Sequence, residues 1–110
     1  VSQLSGYRIM WMMVIFDLPV IDPEERKAAS KFRLHLKDLG FEMAQFSVYV
    51  RHTSGKEAIE GYMKKVEAAL PAEGKVDILQ FTDKQYEGIT CFRGGGRKNA
   101  KKAPEQFELF

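Results

Sequence analysis

An apolar run of strand length, "RIMWMMVIF" at residues 8–16, stops on a single carboxylate, Asp17. A continuous run of this kind predicts a central strand buried on both faces. It falls short of the ~18 apolar residues that a membrane span needs, and no small-residue cleavage site follows it. A cytoplasmic protein without membrane contact is the expectation. With 110 residues, 45% of them hydrophobic, one domain can bury roughly two-thirds of its unfolded surface, a modest core that dimerisation would reinforce. Cys91 is the one cysteine, so no disulfide framework forms within the chain. His35 and His52 lie far apart, and no zinc-ligand spacing arises.

Beyond the turn "DLPVIDP", Asp22 reads as a helix N-cap, Pro23 as the first helical residue and Glu25 as the second half of a capping box. The helix should run to about Leu39 and stop at Gly40, a left-handed cap. Its core face would carry Ala28 or Ala29, Phe32, Leu36 and Leu39. "FEMAQFSVYVRHT" predicts two strands about a tight turn near Gln45–Ser47. Phe41, Met43 and Gln45 share one face of the first; Val48 and Val50 oppose Tyr49 and Arg51 on the second. A second helix is expected from about Gly55 to Leu70, with Ala58 or Ile59, Tyr62, Val66 and Leu70 as its stripe. "KVDILQFT" gives a fourth strand, with Val76, Ile78 and Gln80 facing one way and Leu79 and Phe81 the other. "YEGITCF" reads as a short extra strand. The order strand, helix, strand, strand, helix, strand is the α+β, ferredoxin-like βαββαβ pattern, an antiparallel sheet with both helices on one face. No glycine-rich ligand loop separates a strand from a helix, which weighs against a metabolite sensor of this fold.

Charge divides the chain. Residues 1–92, the domain, hold 12 Lys/Arg against 13 Asp/Glu. Residues 93–104 read as a basic, Gly/Lys-rich flexible linker, within which "RGGGRKNAKK" has five basic residues and no acid. Such a segment either contacts a phosphate backbone, with Arg97 and Lys98 as candidates, or keeps the chain soluble. Residues 105–110 form a closing segment.

Taken together, "VIFDLPV", "ERK", "KFR", "GF", "SVYVR" and "LPAEGKVDILQFTDKQY", in this order, resemble the CRISPR-associated protein two family, most closely the forms accompanying single-effector systems. The likeness covers roughly residues 8–88. It implies a homodimer whose two sheets face each other, with a C-terminal strand crossing to the partner. It also implies a metal-dependent endonuclease acting on RNA or double-stranded DNA. In spacer acquisition such a dimer sits between two dimers of the CRISPR integrase and holds the duplex DNA (the protospacer) to be integrated. On this resemblance Asp17 lies near the dimer axis and faces its symmetry mate. A divalent ion such as Mg2+ bridging the two carboxylates would relieve their repulsion and activate a water, making Asp17 the catalytic and metal candidate. From the residues alone Asp17 could equally be a structural cap, accepting N–H groups of the turn or pairing with an arginine. Asp22 is better explained as a helix cap, and neither His35 nor His52 is placed by motif as a general base. A non-catalytic scaffold and a free-standing ribonuclease toxin of related fold are the alternative functions.

Arg26, Lys27, Arg33 and Arg51 are candidates for phosphate contacts, against the bland alternative of a solvated face. Phe46 and Tyr49 could stack bases, but core or dimer interface is the simpler reading. The final Gln106-Phe107-Glu108-Leu109-Phe110 resembles the Q-x-x-L-F peptide by which bacterial replication and repair proteins dock on the sliding clamp. Gln106, Leu109 and Phe110 would be its anchors. An edge strand folding back on the integrase or on the second subunit is the alternative.

Overall fold

A computed structural model of the chain describes residues 9–94 and 96–98. The elements are β1 (Met10–Asp17), α1 (Pro23–Asp38), β2 (Glu42–Gln45), β3 (Val48–Thr53), α2 (Lys56–Ala68), β4 (Lys75–Thr82), α3 (Asp83–Glu87), β5 (Cys91–Arg93) and β6 (Gly96–Lys98). The first four strands form one sheet in the order β2-β3-β1-β4. β1 lies antiparallel between β3 and β4, so the predicted ferredoxin-like βαββαβ arrangement is the one observed.

Local chemistry sets the element ends. At the start of α1 the Glu25 N–H donates to Asp22 Oδ1 at 2.8 Å, and the Asp22 N–H donates to Glu25 Oε1 at 3.2 Å. Two orphan donors of the first turn are thereby satisfied. At the other end Gly40, with φ +90°, takes the chain out of the helix in a conformation that a side chain would resist. The β2–β3 turn is the two-residue loop Phe46-Ser47, with Ser47 at φ +68°.

Alternation along β1 sends its residues to two different places. Met12, Val14 and Phe16 point toward α1 and α2 and pack with Phe32, Leu36, Tyr49, Ile59 and Val66. Phe16 meets Phe32 edge-on at 5.2 Å and Tyr49 at 5.8 Å. The opposite face holds a smaller cluster of Trp11, Val50 and Tyr86, with Met13, Ala44, Phe81 and Ile89 against it. Tyr86 belongs to α3, which folds back over this face. Its ring stacks on Trp11 at 3.8 Å and 8°, and Trp11 Nε1 donates to Asp83 Oδ1 at 2.8 Å.

Several expectations need correcting. β1 is covered on both faces only in its first half: Ile15 is 37% exposed, because α3 is five residues long and reaches only the Trp11 end. Phe41 and Met43 share the helix side as expected, but a bulge between Met43 and Gln45 pairs Gln45 with Val48 and turns it to the opposite face; Met43, on the edge strand, is 47% exposed. Leu70 lies beyond the end of α2 at Ala68 and is 44% exposed. The extra strand expected over Tyr86–Phe92 is present as β5, but it starts only at Cys91, and Tyr86 and Glu87 instead close α3. The signal for α3 was present in Thr82-x-x-Gln85, whose side chains and backbones form a second capping box. β5 pairs with β6 in a separate two-stranded sheet, so residues 96–98 of the expected linker are a paired strand.

Leu36 is fully buried and Leu34 is 60% exposed on the same helix. Leu36→Ala is expected to cost about 2–5 kcal/mol, and Leu34→Ala to stay within about 0.5 kcal/mol of wild type. Urea unfolding followed by circular dichroism reads both.

Candidate active site

Asp17 is the last residue of β1 and falls on the face turned away from α1 and α2, in line with Trp11, Met13 and Ile15. Two close contacts fix its backbone. The Phe16 N–H donates to the Ser47 carbonyl at 3.1 Å, tying the strand end to the β2–β3 turn. On the other side the α2–β4 loop presses in at Gly74, at φ +107°. A Cβ there would lie 3.0 Å from the Asp17 carbonyl oxygen and 2.6 Å from Leu18 Cδ2. Only glycine permits both the conformation and the approach.

The Asp17 side chain is exposed, and it makes no hydrogen bond or ion pair with any described residue. Its cross-strand neighbour is Lys75, yet Lys75 Nζ pairs with Asp77 Oδ2 at 3.6 Å. Among the described residues Asp17 takes neither structural role open to it from sequence, capping the turn or pairing with an arginine. The turn is held by other groups. The Ile21 N–H donates to Glu25 Oε1 at 2.9 Å, and Arg26 Nη1 donates to the carbonyls of Val20 and Ile21 at 3.3 and 2.8 Å.

Asp17 shares its half of the open face with Ile15, Leu79 (37% exposed) and Asp77. Asp77 escaped notice in the sequence, although the alternation of β4 that pairs Val76 with Ile78 places it on this face. Among the described residues no group of three or more His, Cys, Asp or Glu is close enough to hold a metal ion. A carboxylate is the right oxygen donor for Mg2+, which binds through one or two carboxylates and keeps several waters. One chain offers one such group at the strand end. The histidines are elsewhere. His52 pairs across the sheet with Trp11, its ring 5.4 Å from the indole and about 20 Å along the sheet from Asp17 at ~3.3 Å per residue. His35 lines the groove between α1 and α2.

The arginines differ in employment. Arg51 lies on the helix side of β3, where its guanidinium donates to the Leu39 and His52 carbonyls and sits 4.2 Å over the Tyr62 ring. It caps the C-terminal end of α1. Arg33 carries its guanidinium 5.0 Å from the centre of the Phe46 ring and makes no hydrogen bond or ion pair among the described residues; its Nε is buried without a partner. Burial pushes the Tyr49 hydroxyl above the usual phenol range, with the Arg33 charge pulling against it. Burial, reinforced by the Glu42 charge, pushes Tyr86 up much further. Lys27 is exposed on α1. Arg97 and Lys98 belong to β6, but their side chains, like Gln106, Leu109 and Phe110, lie outside the described residues.

Comparison with known proteins adds the following. A family model described as CRISPR associated protein Cas2 matches residues 10–89. A relative from Paracidovorax avenae is 57% identical over 108 residues, covering 98% of this chain and 100% of the relative. One from Flavobacterium psychrophilum is 41% identical over 109 residues, covering 99% and 95%. One from Parvibaculum lavamentivorans is 41% identical over 101 residues, covering 92% and 100%. Each bears the name CRISPR-associated endoribonuclease Cas2.

Arg51→Ala is expected to destabilise the fold by about 1–3 kcal/mol, through the lost hydrogen bonds and the unpaired helix carbonyl. Salt-dependent nucleic-acid binding by the folded variant is expected to match wild type; the two readouts are a urea midpoint and a binding isotherm.

Proposed function

The chain belongs to the CRISPR-associated protein Cas2 family, and we propose that it is a dimeric, Mg2+-dependent phosphodiesterase subunit of the spacer-acquisition machinery with Asp17 as its metal-holding residue. The observation that carries this reading is the solvent-facing carboxylate of Asp17, which no described residue caps or pairs. An acid held so firmly by its backbone and so little used by its own fold is suited to an external ligand.

Dimerisation completes the site. Ile15 and Leu79, both 37% exposed, are cross-strand apolar neighbours on the same face of β1 and β4, and a second sheet laid against them would remove that apolar surface from water. The same contact brings a second Asp17 opposite the first. Two facing carboxylates repel, and the pair would hold one divalent cation. When bound, the cation would supply a more acidic water and a positive charge for the phosphate. Asp17 would be the residue that holds it. The apolar flank of Ile15 and Leu79 keeps bulk water from the axis. Phosphates are held by cationic side chains of α1 rather than by Arg51, whose guanidinium is occupied. RNA is the substrate suggested by the endoribonuclease name of the relatives. In the acquisition complex the dimer lies between integrase dimers and holds duplex DNA.

A second reading, a scaffold without chemistry, is favoured by one observation: among the described residues Asp17 has no companion set of metal ligands, and both histidines lie away from it. The two readings part on Asp17→Ala. With Mg2+, the first expects RNA cleavage to fall at least about a hundredfold with the dimer intact by light scattering. It also expects cleavage to disappear in EDTA. Unchanged cleavage by the variant, or cleavage indifferent to EDTA, overturns it. Integration of a short duplex by the cognate integrase, supported equally by wild type and variant while neither cleaves RNA, would establish the scaffold.

A further inference from the structure

The tip of the β2–β3 hairpin carries a feature that the metal site does not use. Phe46 is 76% exposed, and its ring is not part of either core cluster. Its neighbour Tyr49, the other aromatic of this hairpin, is fully enclosed. The expectation that both rings are core or interface therefore holds for Tyr49 and gains no support for Phe46. Arg33 lies 5.0 Å from the Phe46 ring centre. Its guanidinium, as described above, has no hydrogen-bonding or ionic partner among the described residues, and its Nε is buried. A cation so placed is costly unless an anion completes it.

Charge around the pair is one-sided. Residues four apart share a helix flank, so Arg33 and Lys37 form a basic stripe along α1, about 6 Å apart at 1.5 Å rise per residue; Arg26, on the same flank, is engaged by the Val20 and Ile21 carbonyls. The opposite flank faces α2, where Lys31 and His35 line a groove. The stripe thus borders the hairpin. The cleft at the start of α1, about 250 Å³, is lined instead by Asp22, Glu24, Glu25 and Glu73 and repels phosphate. The hairpin is joined to the strand end as well: Ser47, next to Phe46, accepts the Phe16 N–H, one residue before Asp17.

We propose that Phe46 and Arg33 form a subsite for one unpaired nucleotide, the ring stacking on the base and the guanidinium taking the adjacent phosphate. Stacking needs a free base face, which single-stranded RNA or DNA offers and the interior of a duplex does not. The exposed face of Phe46 is the platform; Arg33 backs the ring and supplies the charge. The subsite rests on the nucleic-acid function proposed above and adds to it a base-stacking contact at the tip of the β2–β3 hairpin.

The test is equilibrium binding by fluorescence anisotropy in EDTA, so that cleavage plays no part. The probes are a labelled, unstructured RNA, a DNA of the same sequence, and the blunt DNA duplex. The proteins are wild type, Phe46→Ala, Phe46→Leu, Phe46→Trp and Arg33→Gln. Phe46→Ala and Phe46→Leu are expected to weaken single-strand binding about 5- to 100-fold, the range for one lost stack, and to leave duplex binding within about twofold. Phe46→Trp is expected to restore it. Arg33→Gln is expected to lower the slope of log affinity against log salt by about 0.7, the contribution of one single-strand phosphate. Single-strand binding by Phe46→Leu equal to wild type overturns the proposal, because an apolar contact would then suffice. A changed dimer mass for Phe46→Ala overturns it too, by assigning the ring to a protein interface. Wild-type protein that fails to cleave RNA with Mg2+ yet shows the Phe46 effect would remove the nuclease reading and leave the subsite standing.

Discussion

A four-stranded sheet with two helices has one face too many to cover. α1 and α2 shelter the side of β1 that carries Met12, Val14 and Phe16, and everything distinctive about the molecule follows from what happens on the other side. There α3 covers the Trp11 end through the Tyr86 stack and the Asp83 hydrogen bond. The ring pair adds about 0.5–1.5 kcal/mol beyond its buried area. Five residues of helix reach no further. Among the described residues the remaining half, with Ile15, Leu79, Asp77 and Asp17, has no such cover, and a strand that begins as core ends as surface. Asp17 stands at this boundary, and the proposed dimer would supply a partner sheet there.

The sequence was informative wherever the chemistry was local. Asp22, Pro23, Glu25 and Gly40 announce the two ends of α1, and alternation separates Val76 and Ile78 from Leu79. It was less informative wherever a residue's fate depended on a distant segment. Nothing near Ile15 says that α3 stops short of it, and nothing near Met43 says that β2 is the edge. Asp17 could be singled out as the odd residue at the end of an apolar run. That its carboxylate is unclaimed could not, since the rivals for it, Lys75 and the turn N–H groups, are satisfied by Asp77 and Glu25.

Arg33 and Arg51 illustrate the same limit. Arg33 follows the buried Phe32 and Arg51 follows the buried Val50, and both have the same candidate role when read from sequence. Arg51 caps the end of α1 and rests on Tyr62. Arg33, on the flank of α1 by the hairpin, has a ring beside it and no anion among the described residues. Tertiary neighbours decided between structural and available charge, which is why composition and net charge of +2 say so little about where nucleic acid would bind.

In the proposed dimer two copies bring their Asp17 carboxylates together around one divalent cation. Equilibrium Mn2+ binding, followed by the loss of its free paramagnetic signal as protein is added, reads this directly. One bound Mn2+ is expected for every two chains, displaced by Mg2+ and lost in Asp17→Asn while the dimer persists. Binding of one ion per chain, or binding that survives Asp17→Asn, would contradict it.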